Sequence, residues 1–379
     1  MDPHIRPLIS VIIPTRERAD TLRYTIASAL DNKNTDYEVV ISDNASTDNT
    51  LHVSDMFADK RVRYFNTGER VSMCDNYEFA LSNCRGEYIV IIGDDDAVIP
   101  GALDRLVAEV RLSSTPSIYM WPLHIYDWPV GGNSAKVAYL APNKQSIEVN
   151  LKSKALHTMS LGGWRYYELP SPYHSLIPRQ LLENIRLRTG RVFHSTQPDV
   201  FTAMALPAFA DCAILLSSPV TFHGRSARSN GIGFVDRRAQ PNIDRFIKEY
   251  GGYQFHCSLD RKTSGIANMI PDAILIAKEM FPEIYADVPF NYSAMWAYIC
   301  RLGFAKHRQV ITNRNNIKKL HQFSTTTFLG FSIIHQLLAL RRRTLNIMML
   351  FSRPKSVVPE NIYDFAKVLG ARYLDSLTP

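Results

Sequence analysis

Cysteine is scarce and unpatterned in this chain of 379 residues: Cys74, Cys84, Cys212, Cys257 and Cys300 show no CxxC or CxxH spacing. Neither a disulfide framework nor a zinc site is indicated, and a reducing compartment is expected. With 18 glycines and 21 prolines, a collagenous or low-complexity chain is excluded. No GxGxxG follows an early strand, which disfavours a dinucleotide-dependent oxidoreductase. The opening MDPHIRPLIS lacks the basic start and apolar core of a signal peptide, so the catalytic part is expected to be cytoplasmic. Lys, Arg, Asp and Glu are missing from Gln322 to Leu340, a run followed by Arg341, Arg342 and Arg343. It is barely long enough to span a bilayer, and its Ser, Thr, His335 and Gln336 suit a span poorly. A core helix is expected there, or an in-plane helix setting Lys318, Lys319 and the three arginines against an anionic membrane surface.

What remains is a globular composition, 46% hydrophobic and 21% charged, which excludes disorder as the main state. Lys and Arg number 43 against 36 Asp and Glu, a net +7. That excess fits an anionic partner without choosing among nucleotide, phospholipid and nucleic acid. LISVIIP, from Leu8 to Pro14, reads as a strand buried on both faces, and Glu38 to Ser42 and Glu87 to Ile92 read the same way. Helical spacing separates them over Asp20 to Leu30, Thr50 to Phe57 and Cys74 to Asn83, with a short strand RVRYFN between the last two. The order predicts an α/β fold with a mostly parallel sheet and a ligand site at the carboxyl ends of its strands. Strand signals fade after about residue 240, so the expected division is an α/β domain over 1–240 and a helical region over 241–379.

Asp94, Asp95 and Asp96 follow the strand YIVII directly. Like charges so close call for a positive partner, and a hard divalent cation with carboxylate and phosphate ligands is one answer. A solvated turn capping the helix near Gly101 is the other. Asp43 follows the second strand, where a carboxylate reaches a base or ribose, or closes a local turn. Pro14, Thr15 and Arg16 follow the first strand and bring backbone groups and a guanidinium toward the same ligand; Arg16 and Arg18 also read as surface charges.

SVIIPTRER, VVISDNASTDNT and CRGEYIVIIGDDDAVIPGAL, in this order, resemble the family 2 glycosyltransferases over about residues 8–110. The resemblance implies the GT-A fold, a nucleotide-diphospho-sugar donor, Mn2+ or Mg2+, inverting transfer, and a glycan or lipid-linked acceptor in polysaccharide biosynthesis. It implies nucleotide contacts from Pro14, Thr15, Glu17 and Asp43, ribose or outer contacts from Asp94, and metal ligation by Asp95 and Asp96. Gly93 stands where the family usually has Asp. The family's acidic general base, about a hundred positions onward, corresponds to Asp199 in HSTQPDVFTAMAL, which also reads as a helix N-cap. His223 in FHGRSARSNG is the candidate further metal ligand and Arg225 a diphosphate clamp, whereas Trp164, Arg165, Tyr166 and Tyr167 fall on the expected acceptor side or in the core. Two other classes were weighed. A nucleotidyltransferase is disfavoured because PTRERAD lacks a glycine-rich loop. A membrane-surface or nucleic-acid-binding protein would use the basic tail, but no nucleic-acid motif is present and no such partner is expected.

Overall fold

The computed structural model describes residues 6–131, 134–138, 145–228, 246–251, 253–259, 266–303, 305–312, 314–315, 317, 322–352 and 359–375. The apolar, β-branched runs form β1 (Ile9–Thr15) and β2 (Tyr37–Asp43). Side chains of β1 alternate between two cores: Ile12 enters one, and Ile9, Val11 and Ile13 enter the other. Such two-sided burial is what helices on both faces of a parallel sheet require. With β3 (Val62–Asn66) and β4 (Tyr88–Ile91) these strands make a parallel set in the order β3-β2-β1-β4. The intervening helices are α1 (Ala19–Leu30), α2 (Thr50–Asp55) and α3 (Met73–Asn83). Pairing of Thr15 with Asp43 sets the ends of β1 and β2 side by side.

Past β4 come β5 (Ala97–Val98), α4 (Ala102–Leu112), β6 (Ile118–Met120), β7 (His124–Asp127), β8 (Lys136–Ala138), β9 (Ile147–Asn150) and α5 (Leu151–Ser160). Then follow β10 (Ser175–Pro178), α6 (Arg179–Thr189), α7 (Pro198–Ala205), β11 (Cys212–Leu215) and β12 (Thr221–Arg225). Strands β10, β6, β11 and β9 extend the main sheet to eight, with β10 antiparallel to both neighbours. A second sheet runs β5-β12-β7-β8. The mixed α/β sheet flanked by helices agrees with the expected fold class.

Two registers build the site. Antiparallel pairing of β10 with β4 brings Tyr173 and His174, just before β10, to the end of β4, where Tyr173 bridges Ile91. Strand β12 runs antiparallel to β5, Thr221 against Val98 and Phe222 against Ala97. Carried two residues further, that register sets His223 against Asp96 and Gly224 against Asp95.

The later part is helical: α8 (Ile266–Met280), α9 (Pro282–Tyr285), α10 (Tyr292–Arg301), α11 (His307–Thr312), α12 (Thr325–Ser352) and α13 (Ile362–Asp375). It shares both cores of the α/β part. Ile270 and Ile274 of α8 pack with Phe201 and Met204, while Phe365 and Leu369 of α13 join Ile99 and Phe222 on the opposite face. The expected boundary near residue 241, together with Lys318 and Lys319, lies outside the described residues. Among the described residues no helix is long and apolar enough to cross a membrane.

Candidate active site

The three aspartates after β4 are buried, not a solvated turn. Helix α4 is capped instead by Gly101, whose φ of 72° suits a residue without Cβ. Arg18 supplies the positive partner: its Nη1 donates to Asp94 Oδ1 at 2.7 Å and lies 3.4 Å from Asp95 Oδ2. Glu17 adopts the left-handed region (φ 57°) just before it, and Thr15 Oγ1 donates to Asp94 Oδ2 at 2.7 Å. Burial pushes the Asp94 carboxyl up to about 6, opposed by Arg18 and aided by the Asp95 charge. Against its own desolvation, the Arg18 guanidinium is held more firmly protonated by Asp94 and Asp95.

Asp96 faces the other way. Its Oδ1 accepts from Gly224 N at 2.6 Å, and its Oδ2 accepts from Gly93 N and from Tyr173 OH at 2.9 Å. His174 Nε2 lies 3.0 Å from Oδ2 and His223 Nδ1 3.5 Å from Oδ1. Burial opposes its ionisation, yet His174 and His223 hold the Asp96 carboxyl well below the usual range. The two imidazoles diverge: burial lowers His174, whereas in His223 the Asp96 and Asp95 charges overcome burial and raise it.

Donor atoms of Asp96, His174 and His223 lie within 4.8 Å of one another. The Thr221 hydroxyl, 2.7 Å from His174 Nδ1, orients that ring. Although Nε2 is near Asp96, no aligned hydrogen bond satisfies it, leaving a buried nitrogen without a partner. A divalent cation fits this donor set, and two imidazoles beside one carboxylate suit Mn2+ better than Mg2+. Asp95, expected among the metal ligands, accepts from Ser226 N at 3.1 Å beside Arg18.

Two glycines make the approach. A Cβ on Gly224 would sit 1.6 Å from Asp95 O, so the β12 backbone lies directly on the aspartate loop. A Cβ on Gly93 would meet Asp96 Oδ2 at 3.0 Å and Tyr173 OH at 3.2 Å, leaving little room for the family's usual Asp.

The remaining expected residues surround this centre unequally. Asp43 is buried beside the end of β1, its carboxylate taken by Ser46 N at 3.0 Å, Tyr64 OH at 2.6 Å and Asn66 Nδ2 at 3.2 Å. Pro14 is half-buried on β1, and Glu17 Oε1 accepts from Thr47 N at 2.9 Å, joining the loops after β1 and β2. Arg16 turns away to Glu249 at 2.8 Å, and Arg225 pairs with Asp127 at 2.6 Å. Asp199 sits in the first turn of α7, whose N-cap is Gln197. Burial raises its carboxyl, against the pull of the Val200 N–H and the His223 charge. Tyr77 and Tyr166 feel its charge in turn. Asp272 of α8 steadies the turn before α7, accepting from Ser195 Oγ at 2.6 Å. Trp164 stacks edge-on against His335, ring centres 4.7 Å apart.

Sequence reasoning missed Tyr173 and His174 and left Arg18 as a surface charge. A Tyr-His pair directly before the short strand SLIP was the available signal.

Residues 10–158 match the model of glycosyl transferase family 2. A GalNAc(5)-diNAcBac-PP-undecaprenol beta-1,3-glucosyltransferase of Campylobacter jejuni is 33% identical over 108 residues, 28% of this chain and 35% of that protein. Glycosyltransferase GlyG of Streptococcus pneumoniae is 24% identical over 190 residues, 49% of this chain and 62% of that one. The chain thus spans between about a third and three fifths of these relatives' lengths. Among solved structures, Staphylococcus aureus TarS 1-349 in complex with UDP-GlcNAc aligns at TM-score 0.46 and 16% identity, over 65% of this chain and 68% of that one.

Proposed function

From the match of residues 10–158 to the glycosyl transferase family 2 model, we propose metal-dependent, inverting transfer of a sugar from a nucleotide-diphospho-sugar to a glycan or lipid-linked acceptor, in polysaccharide or glycoconjugate biosynthesis at the cytoplasmic face of a membrane. The observation that carries the reading is the convergence of three distant segments, Asp94–Asp96, Tyr173–His174 and His223–Ser226, on the strand ends.

In this reading Pro14, Thr15, Glu17 and Asp43 line the nucleotide pocket, with Asp43 toward the base. Tyr64 and Asn66 fix its carboxylate. A cleft of about 120 Å³ beside Arg18 and Ser226 takes part of the donor, which as a whole needs roughly 300 Å³ or more. Asp96, His174 and His223, with Asp95 adjacent, would hold Mn2+ or Mg2+, which when bound offsets diphosphate charge. Arg18 shares that task, and Arg225 would join it by exchanging Asp127 for phosphate oxygens.

Asp199 is the general base. Its carboxylate takes the acceptor hydroxyl proton while the acceptor oxygen bonds to the anomeric carbon from the face opposite the departing nucleoside diphosphate. The carbon–oxygen bond to the diphosphate breaks, and the electron pair leaves with the nucleoside diphosphate. The upward shift of Asp199 supports this role by making it a stronger base than an exposed aspartate.

The test is a thermal-shift screen of UDP-, GDP-, dTDP- and CMP-sugars with and without Mn2+. A donor at 100 times its Kd stabilises by about 2.7 kcal/mol. One nucleotide class should raise the Tm only with metal, and Asp199→Asn should keep that shift while losing transfer about 10²- to 10⁴-fold. No shift with any donor in folded protein, or wild-type transfer by Asp199→Asn, overturns the reading.

A further inference from the structure

Helix α12 buries one face and leaves the other apolar and open. Phe328, Ser332 and His335 pack inward, while Leu329, Ile333, Ile334, Leu337 and Leu340 are between 42% and 60% exposed. These five fall on one side of a 3.6-residue helix, and from Thr325 to Leu340 nothing charged interrupts them. Scattered exposed leucines need no explanation, but a continuous stripe marks a contact surface.

Charge identifies the occupant. From residue 288 to residue 359 the chain contains no Asp or Glu and eleven Lys and Arg. This segment's +11 exceeds the whole chain's +7, so everything outside it is net acidic. The basic residues bracket the stripe: Lys306, Arg308 and Arg314 are exposed at or near α11, which abuts the start of α12 through the His307 and Phe328 rings 5.7 Å apart. At the other end the helix continues directly into Arg341, Arg342 and Arg343.

We propose that the exposed face of α12 docks in the plane of an anionic phospholipid bilayer, its aliphatic side chains entering the acyl boundary and the flanking basic residues meeting lipid phosphates. An apolar stripe edged by cations matches that surface in both its layers. A second copy of this chain would bring the same eleven positive charges against themselves. The buried face of α12 sets His335 on Trp164, close to Tyr166 and hence to Asp199. If the transfer reading holds, docking brings the acceptor side of the cleft toward the lipid; the docking itself does not depend on that reading.

The experiment is flotation of the full chain with vesicles of phosphatidylcholine alone and of phosphatidylcholine mixed with phosphatidylglycerol. Wild type should float with the anionic vesicles only, less so at high salt. The Ile333→Asp, Leu337→Asp double variant should bind about tenfold more weakly or worse, with an unchanged circular-dichroism melt and unchanged donor-induced thermal shift. Failure of wild type to float with anionic vesicles, or undiminished flotation of the double variant, overturns the proposal. So does light scattering that finds a wild-type dimer and a monomeric double variant with vesicle binding intact. Donor binding is read separately, so loss of either property leaves the other measured.

Discussion

Strands β1 to β4 and strands β10 to β12 serve the same site by different means. In the first set β1, β2 and β4 are mostly apolar, buried runs with polar residues at or just past their ends, as Thr15, Asp43 and Asp94 are. In the second set the strands are four or five residues long, and their contribution depends on which distant strand they meet. His174 reaches Asp96 because β10 pairs with β4, and His223 reaches it because β12 pairs with β5. The first set thus carries its site residues locally in sequence, whereas the second supplies them through register.

That contrast can be broken at its tightest point. Gly224→Ala puts a methyl group into the Asp95 carbonyl, so the β12 backbone must withdraw. The expected loss is above about 3 kcal/mol, or failure to fold, together with loss of any metal-dependent donor shift; urea melts measure the first and thermal shift the second. Gly101→Ala, beyond the site in a left-handed turn, should cost less.

The division within the aspartate loop can be sharpened next. Asp96→Ala leaves Tyr173 and two backbone N–H groups without their shared acceptor and His223 without its counter-charge, at a cost of about 3–5 kcal/mol. Asp95→Ala should cost less stability while still abolishing sugar-nucleotide turnover. Equal urea midpoints for the two variants would erase the distinction between Asp96, which holds three protein donors beside two imidazoles, and Asp95, held by Ser226 N and Arg18.

The smallest effect concerns His335, on the far side of Trp164. Burial, with help from the Arg301 charge, holds its pKa down to about 4. Between about pH 4 and 6.5 the unfolded chain therefore binds a proton that the folded chain refuses, and stability falls as pH drops through that window. His335→Gln should remove at most about 3 kcal/mol of that loss, read from urea midpoints at about pH 4.5 and 7. An unchanged slope would mean the acid sensitivity resides elsewhere, His124, His174 and His194 being further imidazoles that burial lowers.

Legibility in the sequence follows the same contrast. Burial on both faces keeps β1, β2 and β4 mostly apolar, so they stand out, and the aspartates after β4 stand out with them. Helix α1 was legible to within one residue of its start. Arg18 was not, because in TRERAD every charge looks equally external; only the left-handed turn at Glu17 distinguishes it. Tyr173 and His174 precede a strand too short to show a period, and their partner lies some eighty residues upstream. A helix-capping turn is the other sequence reading of the aspartates, but the cap falls to Gly101, and Asp96 lies inward among two imidazoles and two backbone amides.

The position of α13 bears on the order in which the molecule is made. Phe365 packs against Phe222 and Tyr126, and its neighbours Ile362 and Leu369 share the core that contains Ile99, only a few residues past the aspartate loop. The β1 to β4 sheet can pair while the ribosome is still reading the second half of the message, but this face stays bare until α13 emerges. During synthesis the chain must carry an unfinished apolar surface beside its most charged loop, and aggregation of nascent chains should fall on that interval.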